Sequence, residues 1–318
     1  MPASFFCLHP GALRNSDRMD PAILEPCLRQ TANILFIAVD SLIPPRGKSF
    51  PGLDEFTATL DHQGIPAVWL TSRSRLQFDE PRRKLAHTHP FIAEGGCAVY
   101  LPEDYFHLRP ESVAAKQQKK STVRLGRFTC LPMAEALPAA AEALESLSED
   151  TDVPVVTLRS LSPRELVQNT NLPQRDAELS RQRDFDEVFF FAGVSDKDVE
   201  RFVAEGRARN LQLRQHGVLW SIAIGASVQR CVRELSRLYD RALRSHAHPV
   251  GIATPDEAPG LFPFCERSIL LTGGTSAGSA QEPTETPRAR RLALHAPDIW
   301  ERVLEIVTTG NWTALETK

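Results

Sequence analysis

The sequence predicts an α/β fold, a parallel sheet flanked by helices, interrupted by an inserted α+β domain. Three observations carry this. The continuous apolar runs Ile34–Val39 and Ile65–Leu70 have the composition of strands buried on both faces. Between them Leu53, Phe56, Leu60 and His62 recur at helical spacing and Gly64 closes the helix, which completes a βαβ unit. Further along, strand and helix patterns over 111–224 follow in an order that suits a separate α+β insert better than a continuation of the sheet.

Taken in order, residues 1–33 mix Pro, Ser, Arg and Asp without a sustained period and read as a mobile extension. The first strand ends at Asp40, and a Pro/Gly-rich loop fills 44–52. Thr71 and Ser72 fall just past the carboxyl end of the second strand, where ligands bind in open α/β sheets. Arg75–Leu85 reads as a helix and Phe91–Ala93 as a strand. Glu94-Gly95-Gly96 reads as a turn whose glycines let the backbone approach a ligand closely, and Ala98–Leu101 leads out of it.

Within the insert, Pro132–Leu147 reads as a helix, Val153–Leu158 as a strand, and Pro163–Asn169 as a short helix capped by Ser162. Asp186–Ala192 reads as a strand, Asp196–Arg209 as an amphipathic helix, and Leu211–Arg214 with Val218–Ile224 as a hairpin. The core resumes with a helix over Val228–Ser245 and a strand over Pro249–Ala253. A Gly/Ser/Thr/Pro/Glu-rich segment, 272–291, reads as a flexible loop before a final helix over Pro297–Val307. The expected core therefore comprises 34–110 and 225–310.

Composition narrows the function classes. The 318 residues are 42% hydrophobic and 24% charged with a formal net charge of −3, which suits one large globular domain or two moderate ones. No global basic field favours nucleic acid. No apolar run reaches the roughly 18 residues of a membrane span, and the amino terminus has no signal-peptide pattern. A cytoplasmic protein with neither nucleic-acid nor membrane partners is expected. The six cysteines form no Cys-x-x-Cys pair and read as reduced thiols. His87-Thr88-His89 and His246-Ala247-His248 each place two imidazoles two residues apart, but with no Cys or acidic residue at ligand spacing they read as solvent-exposed histidines. The basic clusters 116–120 and 288–291 read as solvated surface, and 273–278 lacks the Gly-Lys-Ser/Thr ending of a P-loop.

Three segments together resemble the mannosyl-3-phosphoglycerate phosphatases of the haloacid-dehalogenase (HAD) superfamily. They are Gly64-Ile-Pro-Ala-Val-Trp-Leu-Thr-Ser-Arg-Ser-Arg75, Pro90-Phe-Ile-Ala-Glu-Gly-Gly-Cys-Ala-Val-Tyr-Leu-Pro102 and Arg183-Asp-Phe-Asp-Glu187. The second is the most specific, being similar to that family's Phe-Ile-x-Glu-Asn-Gly-Gly-Ala-Ile-Tyr-x-Pro run. The resemblance implies a Rossmann-like HAD core with an α+β cap inserted between its second and third motifs. It also implies Mg²⁺-dependent phosphomonoester hydrolysis: an Asp nucleophile, a second Asp two residues later as acid/base, a Lys that neutralises the phosphate, and an acidic pair at the metal. The metal and Lys offset the repulsion between a carboxylate nucleophile and an anionic phosphoryl group.

Several of these groups are replaced. Where the family has Asp-x-Asp-x-Thr this chain has Ala38-Val39-Asp40-Ser41-Leu42, so Ala38 stands at the nucleophile position and Asp40 at the acid/base position. In a second register Asp40 is the nucleophile and Leu42 takes the acid/base position. The Lys-Gly of the third motif is Val228-Gln229, and the Gly-Asp-Ser-Pro-Asn-Asp of the fourth is Ile252-Ala-Thr-Pro-Asp-Glu257. Thr71 and Ser72 keep the hydroxyls that bond a phosphate oxygen.

The resemblance thus assigns Asp40 to catalysis, Thr71 and Ser72 to phosphate binding, and Arg73, Glu94, Gly95, Gly96, Arg183 and Glu187 to the ligand. Asp40, Asp256 and Glu257 would hold Mg²⁺ if chemistry survives; otherwise no cofactor is expected. Three functions stay open: a catalytically impaired pseudophosphatase that binds a sugar-phosphate-type small molecule or regulates an unidentified protein partner, an active Mg²⁺-dependent phosphatase acting on mannosyl-3-phosphoglycerate or a related compound, and a scaffold or interaction protein using the cap or the two extensions.

Overall fold

The computed structural model describes residues 32–45, 48–106, 122–273 and 289–312. Among them a nine-stranded sheet has the order β13-β12-β11-β1-β2-β3-β4-β6-β5. Its strands are β1 (Ala32–Ala38), β2 (Ala67–Leu70), β3 (Phe91–Ala93), β4 (Ala98–Pro102), β5 (Val123–Leu125), β6 (Phe128–Pro132), β11 (Ala247–Ala253), β12 (Arg267–Thr272) and β13 (Ala289–Ala293). From β13 to β3 all pairings are parallel; β4, β6 and β5 add an antiparallel flank. Central β1 therefore lies between β11 on one side and β2 on the other, and the crevice at the carboxyl ends of these three strands is a topological switch point.

Period-two alternation in β1 sorts the core into two layers. Leu35, Ile37 and Val39 pack with Phe56 and Leu60 of α1 (Leu53–His62) and with Ile299, Val303 and Ile306 of α9 (Ile299–Thr309). Ile34, Phe36 and Ala38 pack on the opposite face against Val232, Leu235 and Leu238 of α7 (Val228–Leu243). A strand buried on both faces has no polar side, which is why these runs are continuously apolar. Each such Leu, Ile or Phe contributes roughly 1.5–3 kcal/mol through burial.

A second, four-stranded antiparallel sheet has the order β7-β8-β10-β9, from β7 (Val155–Thr157), β8 (Glu187–Phe191), β9 (Leu211–His216) and β10 (Leu219–Ile224). Its core joins Phe189 and Ile222 to Leu144 and Leu147 of α3 (Leu137–Thr151) and to Phe202 of α6 (Asp196–Ala208). Ser162 caps α4 (Pro163–Thr170) through a reciprocal capping box with Glu165.

Several expectations change. The insert does not begin at 111 as a cap: β5 and β6 belong to the large sheet, where Phe128–Pro132 pairs with Ala98–Pro102 and buries Phe128 and Cys130. Consequently α3 starts at Leu137, not Pro132. The loop expected at 272–291 overlaps two strands at its ends, because Thr272 ends β12 and residues 289–291 open β13, with Leu270 opposite Arg291; residues 274–288 lie outside the described residues. His87 is buried, not solvent-exposed: its ring stacks on Trp69 with centroids 4.0 Å apart and Nε2 donates to the Ala67 carbonyl at 2.7 Å. Burial and the neighbouring Arg82 charge hold it neutral, well below the usual imidazole pKa. Of the extension expected over residues 1–33, Ala32 and Asn33 belong to β1, while residues 1–31, like the basic cluster 116–120, lie outside the described residues.

Candidate functional site

The site is built from the carboxyl ends of β1, β2 and β11 and the turn after β3. Asp40 follows β1 by two residues. Its carboxylate accepts hydrogen bonds from the Thr71 hydroxyl, from the Ser72 main-chain N–H at 2.7 Å and from the Ser72 hydroxyl at 2.6 Å. Parallel pairing of Ala38 with Leu70 sets this register, because it brings the chain beyond β1 level with the chain beyond β2. Arg73 lies 3.7 Å from Asp40 and donates to the Ile43 carbonyl, holding the loop after β1 against the turn after β2.

Glu257 enters from the turn between β11 and α8 (Ala258–Leu261). Its Oε1 accepts the main-chain N–H groups of Asp40 at 3.0 Å and Ser41 at 3.4 Å, and its Oε2 accepts from the Thr254 hydroxyl at 2.9 Å. Desolvation, reinforced by the Asp40 charge, raises its pKa to about 7. Asp256 is exposed.

Glu94 is buried, and its carboxylate accepts three successive main-chain N–H groups, those of Asp184 at 3.0 Å, Phe185 at 2.8 Å and Asp186 at 3.1 Å. Burial, with the Asp186 charge adding to it, raises the Glu94 pKa to about 8. Arg183 in the same segment donates to the Ser72 carbonyl at 2.6 Å and pairs with Asp186, so a cationic side chain ties the insert to the turn after β2. The junction is further fastened by Arg75 and Tyr100, both bonded to Asp184, at 3.2 and 2.9 Å. Glu187 is also buried but pairs with Arg159 at 2.5 Å inside the insert.

Gly95 and Gly96 have φ of +60° and +101° and sit under neighbouring chain. A Cβ on Gly96 would lie 2.8 Å from the Val228 main-chain nitrogen, and one on Gly95 would lie 2.4 Å from the Arg214 guanidinium. The turn therefore seats the start of α7 and the β9 arginine.

Of the expected residues, Asp40, Thr71, Ser72, Arg73 and Glu257 converge in one cluster, while Glu94, Gly95, Gly96 and Arg183 form the adjoining junction to the insert. Sequence reasoning missed Arg214 and His216. Desolvation lowers the His216 pKa and the Asp40 charge opposes that shift; the ring is exposed and shares with Arg214 one side of β9. The available signal was alternation: Leu211 and Leu213 face the small core while Gln212, Arg214 and His216 take the other side of the strand.

The donors do not suit a Mg²⁺ centre of the expected kind. Ala38 and Ala253 offer no oxygen side chain at the strand ends, Asp40 is bonded by three protein donors, and Glu257 faces main-chain N–H groups. Among the described residues, groups of three His, Cys, Asp or Glu donors lie within 4.8 Å of one another at Glu94–Cys97–Asp186 and at His246–His248–Glu266; Asp40, Asp256 and Glu257 do not form one. Hard divalent cations need several convergent oxygens, so no step through such an ion follows from these residues.

No protein-family model matches the chain. It is 25% identical over 192 residues to a glucosyl-3-phosphoglycerate/mannosyl-3-phosphoglycerate phosphatase of Methanococcoides burtonii, covering 59% of this chain and 64% of that one. It is 24% identical over 157 residues to a mannosyl-3-phosphoglycerate phosphatase of Pyrococcus furiosus, covering 49% of this chain and 60% of that one. The matches thus span somewhat less than two thirds of these relatives' lengths. Among solved structures, the sucrose-phosphatase of Synechocystis superposes with a TM-score of 0.53 at 12% identity, covering 86% of this chain and 98% of that one. A haloacid dehalogenase-like hydrolase from Bacteroides thetaiotaomicron gives 0.52 at 11% identity, covering 87% of this chain and all of the other. No helix among the described residues is long and apolar enough to cross a membrane. The chain has the HAD fold and is related in sequence to the mannosyl-3-phosphoglycerate phosphatases.

Proposed function

We propose that this protein is a catalytically impaired member of the phosphatase fold that binds an anionic, sugar-phosphate-type small molecule between core and insert. The observation that carries the reading is the engagement of Thr71 and Ser72 by Asp40. Those hydroxyls are the donors a phosphoryl oxygen would use, and here a carboxylate accepts them. A phosphoryl group brought to the same donors would meet that carboxylate without an adjacent Lys at Val228. Ala38, at the position where the resemblance puts the nucleophile, has no atom able to attack phosphorus.

Recognition of an anion falls instead to Arg214 and His216 on the β9–β10 hairpin, with Gly95 leaving room for the guanidinium. Arg73 and Arg183 are engaged in holding the loops together.

The test is thermal unfolding with mannosyl-3-phosphoglycerate, beside a phosphate-release assay in Mg²⁺ and in EDTA for the wild type and Asp40→Asn. Ligand-dependent stabilisation, with release no faster than in the variant, is the expected result. Metal-dependent turnover that disappears in Asp40→Asn would overturn the proposal and assign Asp40 to an active phosphatase.

A further inference from the structure

The two-histidine motif 246–248 acquires a third donor only in the folded chain. His248 lies in β11 and His246 immediately precedes it, so the i, i+2 spacing sets both rings on one side of the extended chain. Glu266 immediately precedes β12, and its main-chain N–H donates to the Pro249 carbonyl at 2.9 Å, which fixes it beside the histidine pair. Glu266 Oε1 lies 3.2 Å from His246 Nε2 and its Oε2 2.6 Å from His248 Nδ1. The imidazole planes are inclined by 80° with centroids 4.8 Å apart. One nitrogen of each ring and a carboxylate oxygen thus all fall within 4.8 Å of one another.

We propose that His246, His248 and Glu266 form a binding site for a Zn²⁺-class transition metal at the amino ends of β11 and β12, away from the cleft at the strands' carboxyl ends. Two imidazoles with one carboxylate form a donor set that borderline-soft ions prefer, whereas Mg²⁺ and Ca²⁺ prefer all-oxygen sets. Ligands bound tetrahedrally at about 2.0–2.2 Å stand roughly 3.3–3.5 Å apart. The two Glu266–imidazole separations of 3.2 and 2.6 Å lie within an ångström of that spacing, the two imidazole nitrogens are within 4.8 Å of each other, and exposed or half-exposed side chains are free to close the remainder.

A carboxylate able to serve as an outer-shell partner stands nearby. Asp240, near the end of α7, lies 3.7 Å from His246 Nδ1, while its Oδ1 accepts the Ala247 main-chain N–H at 2.7 Å. That separation exceeds a hydrogen bond; once His246 turned to a metal, a carboxylate bonded to Nδ1 would favour the tautomer that presents Nε2. Bound there, the ion would cross-link β11 to β12, with a fourth position open to water.

The experiment is a titration of the full, metal-stripped chain with Zn²⁺ alone, read by calorimetry and by thermal unfolding, with Mg²⁺ as the comparison. The proposal expects one Zn²⁺ per chain at this site, an upward shift of the unfolding temperature, and no comparable response to Mg²⁺. His246→Ala/His248→Ala should lose this binding while unfolding like the wild type in EDTA, and Asp240→Asn should weaken it about 10- to 100-fold. The variants keep every cysteine, so Zn²⁺ taken up by thiols would persist in them. Unchanged Zn²⁺ stoichiometry and affinity in the double variant would overturn the assignment, as would no Zn²⁺ binding to the wild type.

Discussion

Glu257 Oε1 lies 3.0 Å from the main-chain nitrogen of Asp40, so a side chain at the end of one strand orders the backbone at the end of its neighbour. Burial and the Asp40 charge raise the Glu257 pKa from 4.5 to about 7. The folded state consequently holds a proton that the unfolded chain has released. This contribution to stability is fully present below about pH 4.5 and is lost as pH rises through about 7, an effect on the order of 3 kcal/mol. Glu94 acts in the same direction, so the check is a difference. Urea unfolding of the wild type and Glu257→Gln between pH 4.5 and 8 should show the wild type losing stability relative to the variant as pH rises. Parallel curves would refute the assignment.

Glu94 should be among the most sensitive polar positions. Replacing it with Ala leaves the N–H groups of Asp184, Phe185 and Asp186 without their acceptor. At roughly 1–3 kcal/mol for each unsatisfied buried group, partly relieved by water, Glu94→Ala should cost about 3 kcal/mol. Glu94→Gln should cost about half as much, because one amide oxygen can still accept. Chemical denaturation measures both, and an Ala variant as stable as wild type would contradict the role.

Arg183→Ala removes the partner of buried Asp186 together with the bond to the Ser72 carbonyl. Breaking a buried pair on one side costs about 3–5 kcal/mol. Arg183→Lys should recover only part of this, since a single ammonium cannot reproduce the planar fork that serves both partners. Limited proteolysis within 181–187 should accelerate in both variants, more in Ala than in Lys.

Arg214→Ala separates binding from stability. If the hairpin supplies the anion contact, affinity for mannosyl-3-phosphoglycerate should fall about 10-fold or more, while folding stability changes by no more than about 0.5 kcal/mol. Calorimetric affinity and the unfolding midpoint are the paired measurements, and equal affinity would remove Arg214 from the site.

The sequence by itself determined the α/β class and most elements of the core and insert. Continuous apolar runs such as Ile34–Val39, helical spacing such as Leu53-Phe56-Leu60, and the Ser162 cap are local patterns, and local sterics and burial act on them directly. That Ala38, Val228 and Ala253 stand where the resemblance leads one to expect Asp or Lys was equally legible as an expectation, since residue type is read from the sequence alone. Tertiary structure decided what depends on distant partners. The short hairpin of β5 and β6 exists as part of the large sheet through pairing with β4, so its own sequence carried little strand signal. The same holds for Glu257 meeting the Asp40 main chain 217 residues away, and for Arg214 filling the space above Gly95. It holds again for Glu266 joining His246 and His248, because hydrophobic periodicity orients a side chain toward a face, whereas strand order and register choose which residue waits there.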